Sequence, residues 1–193
     1  MTQAISLIVG LGNPGPEYAE TRHNAGFRFL DALLAGSGEA ARRESRFNAE
    51  VARMRIAGRD VWLLAPQTYM NHSGEAVAGF AHYYKIAPAA ILVAHDDIDL
   101  PPGAVRVKFG GGDGGHNGLK DVTAQLGTVE FARLRIGVGH PGSAAQVVSY
   151  VLKRAPAAEQ ELIDSAIARA KNHIEEIVQG QFQKVMNVLH THK

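Results

Sequence analysis

Cysteine is absent from the 193 residues, which removes disulfides, thiolate metal sites and a cysteine nucleophile at once. Strong net charge is missing too. The 20 Lys and Arg stand against 19 Asp and Glu, so bulk attraction does not hold this chain on a polyanion, and phosphate would have to be gripped by local clusters. Aromatic residues are few and no apolar run is long enough to span a membrane. The hydrophobic share of 46% is nevertheless ordinary for a packed core, which excludes disorder. Thr2-Gln3 leads straight into the first apolar run without a charged n-region or cleavage site, so a cytoplasmic protein is expected. No repeat, low-complexity tract or linker interrupts the chain, and its length suits one domain over 1–193.

What is present reads as strands alternating with helices. Ile5 to Gly10 is a continuous apolar run, the pattern of a strand buried on both faces. A polar stretch from Asn13 to Asn24 precedes an apolar helix from about Ala25 to Ala35, stopped by Gly36 and Gly38. Ser45 to Ile56 and Val61 to Ala65 read as a hairpin around Ala57-Gly58-Arg59-Asp60. Val77, Phe80, Ala81 and Tyr84 have helical spacing. Ile91 to Ala94 predicts a second buried strand running into His95-Asp96-Asp97. Val105 and Val107 alternate with Arg106 and Lys108, and Leu134, Ile136 and Val138 form the inner face of one more strand. Between them, Asn117 is the expected N-cap of a helix from Gly118 to Leu126, with Gly127 closing it. A stripe of Leu162, Ile163, Ala166, Ile167, Ala170, Ile174 and Ile177 ends at Gly180, and Phe182 to Leu189 is a further amphipathic segment, expected to pack on the core. The predicted fold class is α/β: one mixed, twisted sheet with helices on both faces.

Gly10-x-Gly12-x-x-Gly15 matches a dinucleotide-binding fingerprint. That fingerprint requires a helix to begin inside the triplet and an acidic residue some 20 positions on, at a strand end. Here Asn13-Pro14 and Pro16 occupy the turn, and Asp31 falls within the apolar helix. The triplet is therefore read as a turn ending an inner strand, where open α/β sheets place ligands, and no cofactor is expected.

Four further stretches are candidates for the same cleft: "YAETRHNAG", "QTYMNHSGE", "AHDDIDLPP" and "FGGGDGGHNGLKD". Ser73 and Ser143 have neither a G-x-S-x-G elbow nor a base beside them, which disfavours a serine nucleophile. His95-Asp96-Asp97-x-Asp99 suggests a metal, but there is no H-E-x-x-H pair, and Leu100-Pro101-Pro102 makes a stiff turn rather than a cage. What remains is a water-using site with one base and several amides. His23 is the candidate base, because imidazole titrates near working pH. Asp96 is the candidate partner that holds its ring. Asn13, Asn71 and Asn117 offer amides for a peptide backbone or an oxyanion. Each of these residues taken singly is equally readable as a loop, turn or cap residue.

Together the blocks "VGLGNPGPEYAETRHNAG", "PQTYMNHSG", "HDDIDLP", "GGHNGLKD" and "RLRIGVGHPG" resemble the bacterial-type peptidyl-tRNA hydrolases over almost the whole chain. The resemblance implies a monomeric, metal-independent α/β enzyme that hydrolyses the ester between a peptide and the 3′ ribose of tRNA. It implies catalytic roles for His23, Asp96 and Asn13, and a substrate groove formed by Tyr18, Tyr69, Met70, Asn71, His116 and Asn117. Lys108 and Arg135 match a basic pair that clamps a tRNA phosphate, so the implied partner is the 3′ CCA end and acceptor stem of peptidyl-tRNA. Arg106 shares a strand face with Lys108, and Arg133 with Arg135, which extends the expected basic surface. Asp113 would bring negative charge near phosphate if its glycine-rich loop closed. The segments 110–118 and 139–150 are candidate lids. A rival reading is a non-catalytic, RNA-binding relative such as the plant chloroplast splicing factor; retention of His23, Asp96, Asn13, Asn71 and Asn117 favours the enzyme.

Overall fold

Strand β1, Leu7–Gly10, is buried along its whole length and sits fourth in a seven-stranded sheet of order β2-β3-β4-β1-β5-β7-β6. The computed structural model describes residues 3–190, so Thr2, named above for the N-terminus, lies outside them. The other strands are β2 (Arg42–Glu44), β3 (Ala49–Ile56), β4 (Arg59–Pro66), β5 (Ile91–Asp97), β6 (Val105–Phe109) and β7 (Ala132–Gly137). The helices are α1 (Ala25–Leu34), α2 (Ser73–Tyr83), α3 (Asn117–Leu126), α4 (Val147–Val151), α5 (Ala157–Asn172), α6 (Ile174–Val178) and α7 (Phe182–Leu189).

Strands β4, β1, β5 and β7 run parallel, while β2 and β3 on one flank and β6 on the other are antiparallel to their neighbours. The mixed α/β architecture is therefore as expected. Alternation along β1 sorts the core into two layers. Ile8 faces Phe29, Leu30 and Leu33 of α1, together with α5, α6 and α7. Leu7 and Val9 face Val77 and Phe80 of α2 and Leu119 and Val122 of α3. Each such large side chain contributes about 1.5–3 kcal/mol by leaving water.

The opening glycines have a packing role. A Cβ on Gly10 would lie 2.3 Å from the Gly26 carbonyl oxygen, and one on Gly26 would lie 2.4 Å from the Ala94 carbonyl oxygen. Strand β1 and helix α1 thus meet backbone to backbone, which no larger residue permits. No helix starts inside the triplet: the next element after β1 is the 3-10 turn Arg22–Asn24, leading into α1.

Several boundaries differ from expectation. The hairpin turn is the two residues Ala57-Gly58, both at positive φ (53° and 73°), while Arg59 and Asp60 already pair in β4. Such a turn matches the twist of its strands. Ser45–Phe47 is a 3-10 turn rather than strand. Strand β5 continues through His95, Asp96 and Asp97 instead of stopping at Ala94, pairing with β7 as far as Gly137. Leu162 is 50% exposed and stands outside the buried stripe of α5. Helix α7 spans the expected residues and buries Phe182, Val185 and Leu189 in the core.

Candidate active site

Parallel strands β1, β4, β5 and β7 end on the same side of the sheet. The chain moves from β1 to β4 on one flank and then crosses to β5 on the other, creating the crevice in which such sheets bind ligands. A cleft of about 900 Å³ opens there, and every residue named above as catalytic, groove-lining or phosphate-clamping lines it.

Asp96 is its electrostatic centre. It is buried near the end of β5 and accepts two hydrogen bonds, from His23 Nδ1 at 2.9 Å and from His116 Nε2 at 2.8 Å. Burial pushes the Asp96 carboxyl up, but the two histidines outweigh it and hold it well below the usual carboxylate range. Burial likewise pushes the His23 imidazole down. The charge and hydrogen bond of Asp96 overcome that and raise it above its ordinary 6.5. Because Nδ1–H is given to Asp96, Nε2 of His23 is left as the basic lone pair.

His116, not Asn117, caps α3. Its Nδ1 accepts from the backbone N–H groups of Gly118 and Leu119, while Asn117 is the first residue of the helix. The capped Nδ1 fixes the tautomer, so the proton sits on Nε2 and points at Asp96. His95 is buried beside them. Burial and His116 push it down to about 4, and its Nε2 has no hydrogen-bond partner among the described residues.

The amide of Asn13 is oriented just as firmly. Its Oδ1 accepts from Met70 N at 2.7 Å, so Nδ2 remains as the donor. Asn24 clasps the Asn13 backbone from both sides, accepting from its N–H at 2.8 Å and donating Nδ2 to its carbonyl at 3.0 Å. Asn24 and Arg22, which flank His23, were not assigned from sequence. The only signal was their place in "TRHNAG". Asn71 and Tyr69 are exposed on the wall after β4, with Tyr69 edge-on to Tyr18 at 6.4 Å.

Cations gather at the β6–β7 edge, where Lys108 pairs across the strands with Arg133 and Arg106 with Arg135. Arg135 Nε donates to Asp97 at 2.7 Å, leaving the outer nitrogens of its guanidinium for an anion. Arg133 departs from the expected solvated face. It is buried, stacks on Phe131 and donates to the carbonyls of Gly112 and Val129, so it holds the glycine-rich loop. Asp113 turns back into that loop, accepting from Gly115 N, and its charge lies close to Arg133.

Among the described residues, His23, Asp96 and His116 form the one group spaced to hold a metal ion. Both histidine protons there are already given to Asp96, and a cation would have to displace them.

A histidine held by a buried carboxylate, with amide donors around it at the strand ends of an α/β sheet, is an arrangement suited to a hydrolase. The peptidyl-tRNA hydrolase family model matches residues 7–193, and the chain belongs to that family. It is 53% identical over 192 residues to the peptidyl-tRNA hydrolase of Teredinibacter turnerae, covering 99% of this chain and all of that protein. It is 49% identical over 191 residues to that of Neisseria gonorrhoeae, covering 99% and 100%. The crystal structure of the enzyme from Acinetobacter baumannii superimposes with a TM-score of 0.96 at 50% identity, covering 100% of this chain and 98% of that one.

Proposed function

We propose that this peptidyl-tRNA hydrolase cleaves its ester with a water activated by His23, acting as a monomer in the cytoplasm and holding the 3′ end of the tRNA in the cleft. The observation that carries the reading is the His23–Asp96 pair at 2.9 Å on the cleft wall. Nε2 of His23 takes a proton from water as its oxygen attacks the ester carbonyl carbon. The resulting oxyanion is met by neutral amide donors, for which Asn13 Nδ2 is the best placed. As the bond to the ribose oxygen breaks, His23 returns its proton to that oxygen. The products are tRNA with a 3′ hydroxyl and the peptide acid, which gives its remaining proton to solvent and leaves as the carboxylate.

An aminoacyl ester is an activated acyl group, so a base worth about 10²–10⁴-fold and an oxyanion donor of similar size form a sufficient set. The amides of Asn71 and Asn117 suit the peptide backbone, the part shared by every peptide. Lys108 and Arg135 suit a phosphate, a contact that positions the substrate without reading sequence.

The test is release of N-blocked lysine from diacetyl-lysyl-tRNA by wild type and His23→Ala, with and without EDTA. Fast, chelator-resistant release that falls at least ~10²-fold in the variant is expected. Loss of activity with EDTA, or undiminished turnover in His23→Ala, would overturn the mechanism.

A further inference from the structure

Arg22 precedes the candidate base in the same 3-10 turn, yet its side chain is only 7% exposed and turns onto the neighbouring segment at the end of α4. Its Nη1 donates to the carbonyls of Tyr150 at 2.9 Å and Lys153 at 3.5 Å, and the guanidinium lies 3.8 Å over the Tyr150 ring. Glu159 approaches its Nη2 at 3.7 Å. The backbone repeats the connection, with Arg22 N donating to Lys153 O at 3.0 Å and Thr21 bridging to Arg154. Tyr150 is fixed from its other end, where its hydroxyl donates to the Val138 carbonyl at 2.7 Å.

The segment gripped this way is the end of α4, five residues long. A helix that short has almost no stability of its own, and cations on its last carbonyls are the favourable way to hold it. Val148 and Leu152 line the cleft while 63% and 38% exposed. Exposed aliphatic side chains on a cleft wall are suited to an apolar part of the substrate.

We propose that Arg22 is a positioning residue that holds α4 as an apolar wall facing His23, and so sets the preference for an apolar side chain on the residue esterified to tRNA. This rests on the hydrolytic reading above. Lysine at position 22 would keep the charge but could not stack on Tyr150 and bridge two carbonyls together.

The test is kcat/KM on N-acetyl-leucyl-tRNA and N-acetyl-glycyl-tRNA for wild type, Arg22→Lys, Arg22→Met and Val148→Ser, with thermal unfolding of each. In Arg22→Met the leucyl-over-glycyl ratio falls ~10-fold, the size of a lost apolar contact, with Arg22→Lys intermediate. Val148→Ser, at a position 63% exposed, lowers the same ratio ~3-fold. Equal losses on both substrates in Arg22→Met would mark Arg22 as merely structural, and an unchanged ratio in Val148→Ser would remove the wall; either overturns the proposal. His23→Ala run alongside separates the two readings: undiminished turnover there refutes His23 as the base, whereas wild-type selectivity in the Arg22 and Val148 variants refutes the wall alone.

Discussion

At the scale of single residues, Asp96 decides more than any other side chain. In Asp96→Asn the new Oδ1 still accepts from His116, whose proton is fixed on Nε2 by the α3 cap. The Nδ2 group then faces His23 Nδ1 and drives the His23 proton onto Nε2, the atom proposed above to accept from water. We expect kcat to fall by ~10³–10⁴-fold, as in other sites where the wrong tautomer is imposed. The pH profile is a second readout. As the proposed base His23 acts only when neutral, so kcat/KM should rise with pH through a midpoint above 6.5, and the residual activity of Asp96→Asn should have a lower midpoint. Stability follows with its own signs. The raised His23 stabilises the fold most below 6.5 and loses that contribution as pH climbs through its folded value. The depressed Asp96 contributes above 3.8 and loses it as pH falls toward its folded value. His95 opposes His23: kept neutral by burial, it makes the fold weaker as pH drops from 6.5 toward 4. Thermal unfolding of His95→Asn between those two values should show a shallower acid loss than wild type.

At the scale of elements, the backbone contact of β1 with α1 sets the position of both loops that flank the base. Gly26→Ala puts a methyl 2.4 Å from Leu11 N and the Ala94 carbonyl oxygen, and neither backbone can retreat without moving Asn13 or Asp96. A loss of about 1–3 kcal/mol in chemical denaturation is expected, together with reduced kcat in the folded fraction. Full stability and full activity in this variant would separate the strand–helix contact from the site. The same contact shows what sequence could convey. Long apolar runs and 3.6-residue periodicity located β1, β5, α1 and α7, because burial alone determines those patterns. Strand β2 has three exposed residues, Arg42–Glu44, and so carries no apolar signal. His116 displaced Asn117 as the cap because its other ring nitrogen is committed to Asp96, a partner 20 residues away that residue type does not reveal. Arg133 alternates outward in sequence, but Phe131 and the Gly112 loop fold over it. Arg22 carries no sequence signal for the same reason, its partner carbonyl at Tyr150 lying 128 residues on.

At the scale of the whole molecule, a formal net charge of +1 leaves almost no long-range attraction for a polyanion such as tRNA. On the reading proposed above, binding then comes from the local field at the β6–β7 edge, where four cations lie in two cross-strand pairs. Not all four are available. Arg133 is buried on the glycine-rich loop, and Arg135 shares its charge with Asp97 through Nε. Arg106 and Lys108 are exposed, and together with the outer face of Arg135 they make a site for about two or three phosphates. The logarithm of tRNA affinity should therefore fall with the logarithm of salt with a slope of about −2 to −3, far shallower than for proteins that bind duplex by bulk charge. Lys108→Ala with Arg135→Ala should weaken binding and make that slope shallower by about 1 to 2, leaving only the share of Arg106. Fluorescence anisotropy of labelled tRNA between ~50 and ~200 mM salt reads both quantities. An unchanged slope in the double variant would move the phosphate contact elsewhere on the surface, whereas a flattened slope with unaltered kcat would place the pair in binding and leave the chemistry to His23.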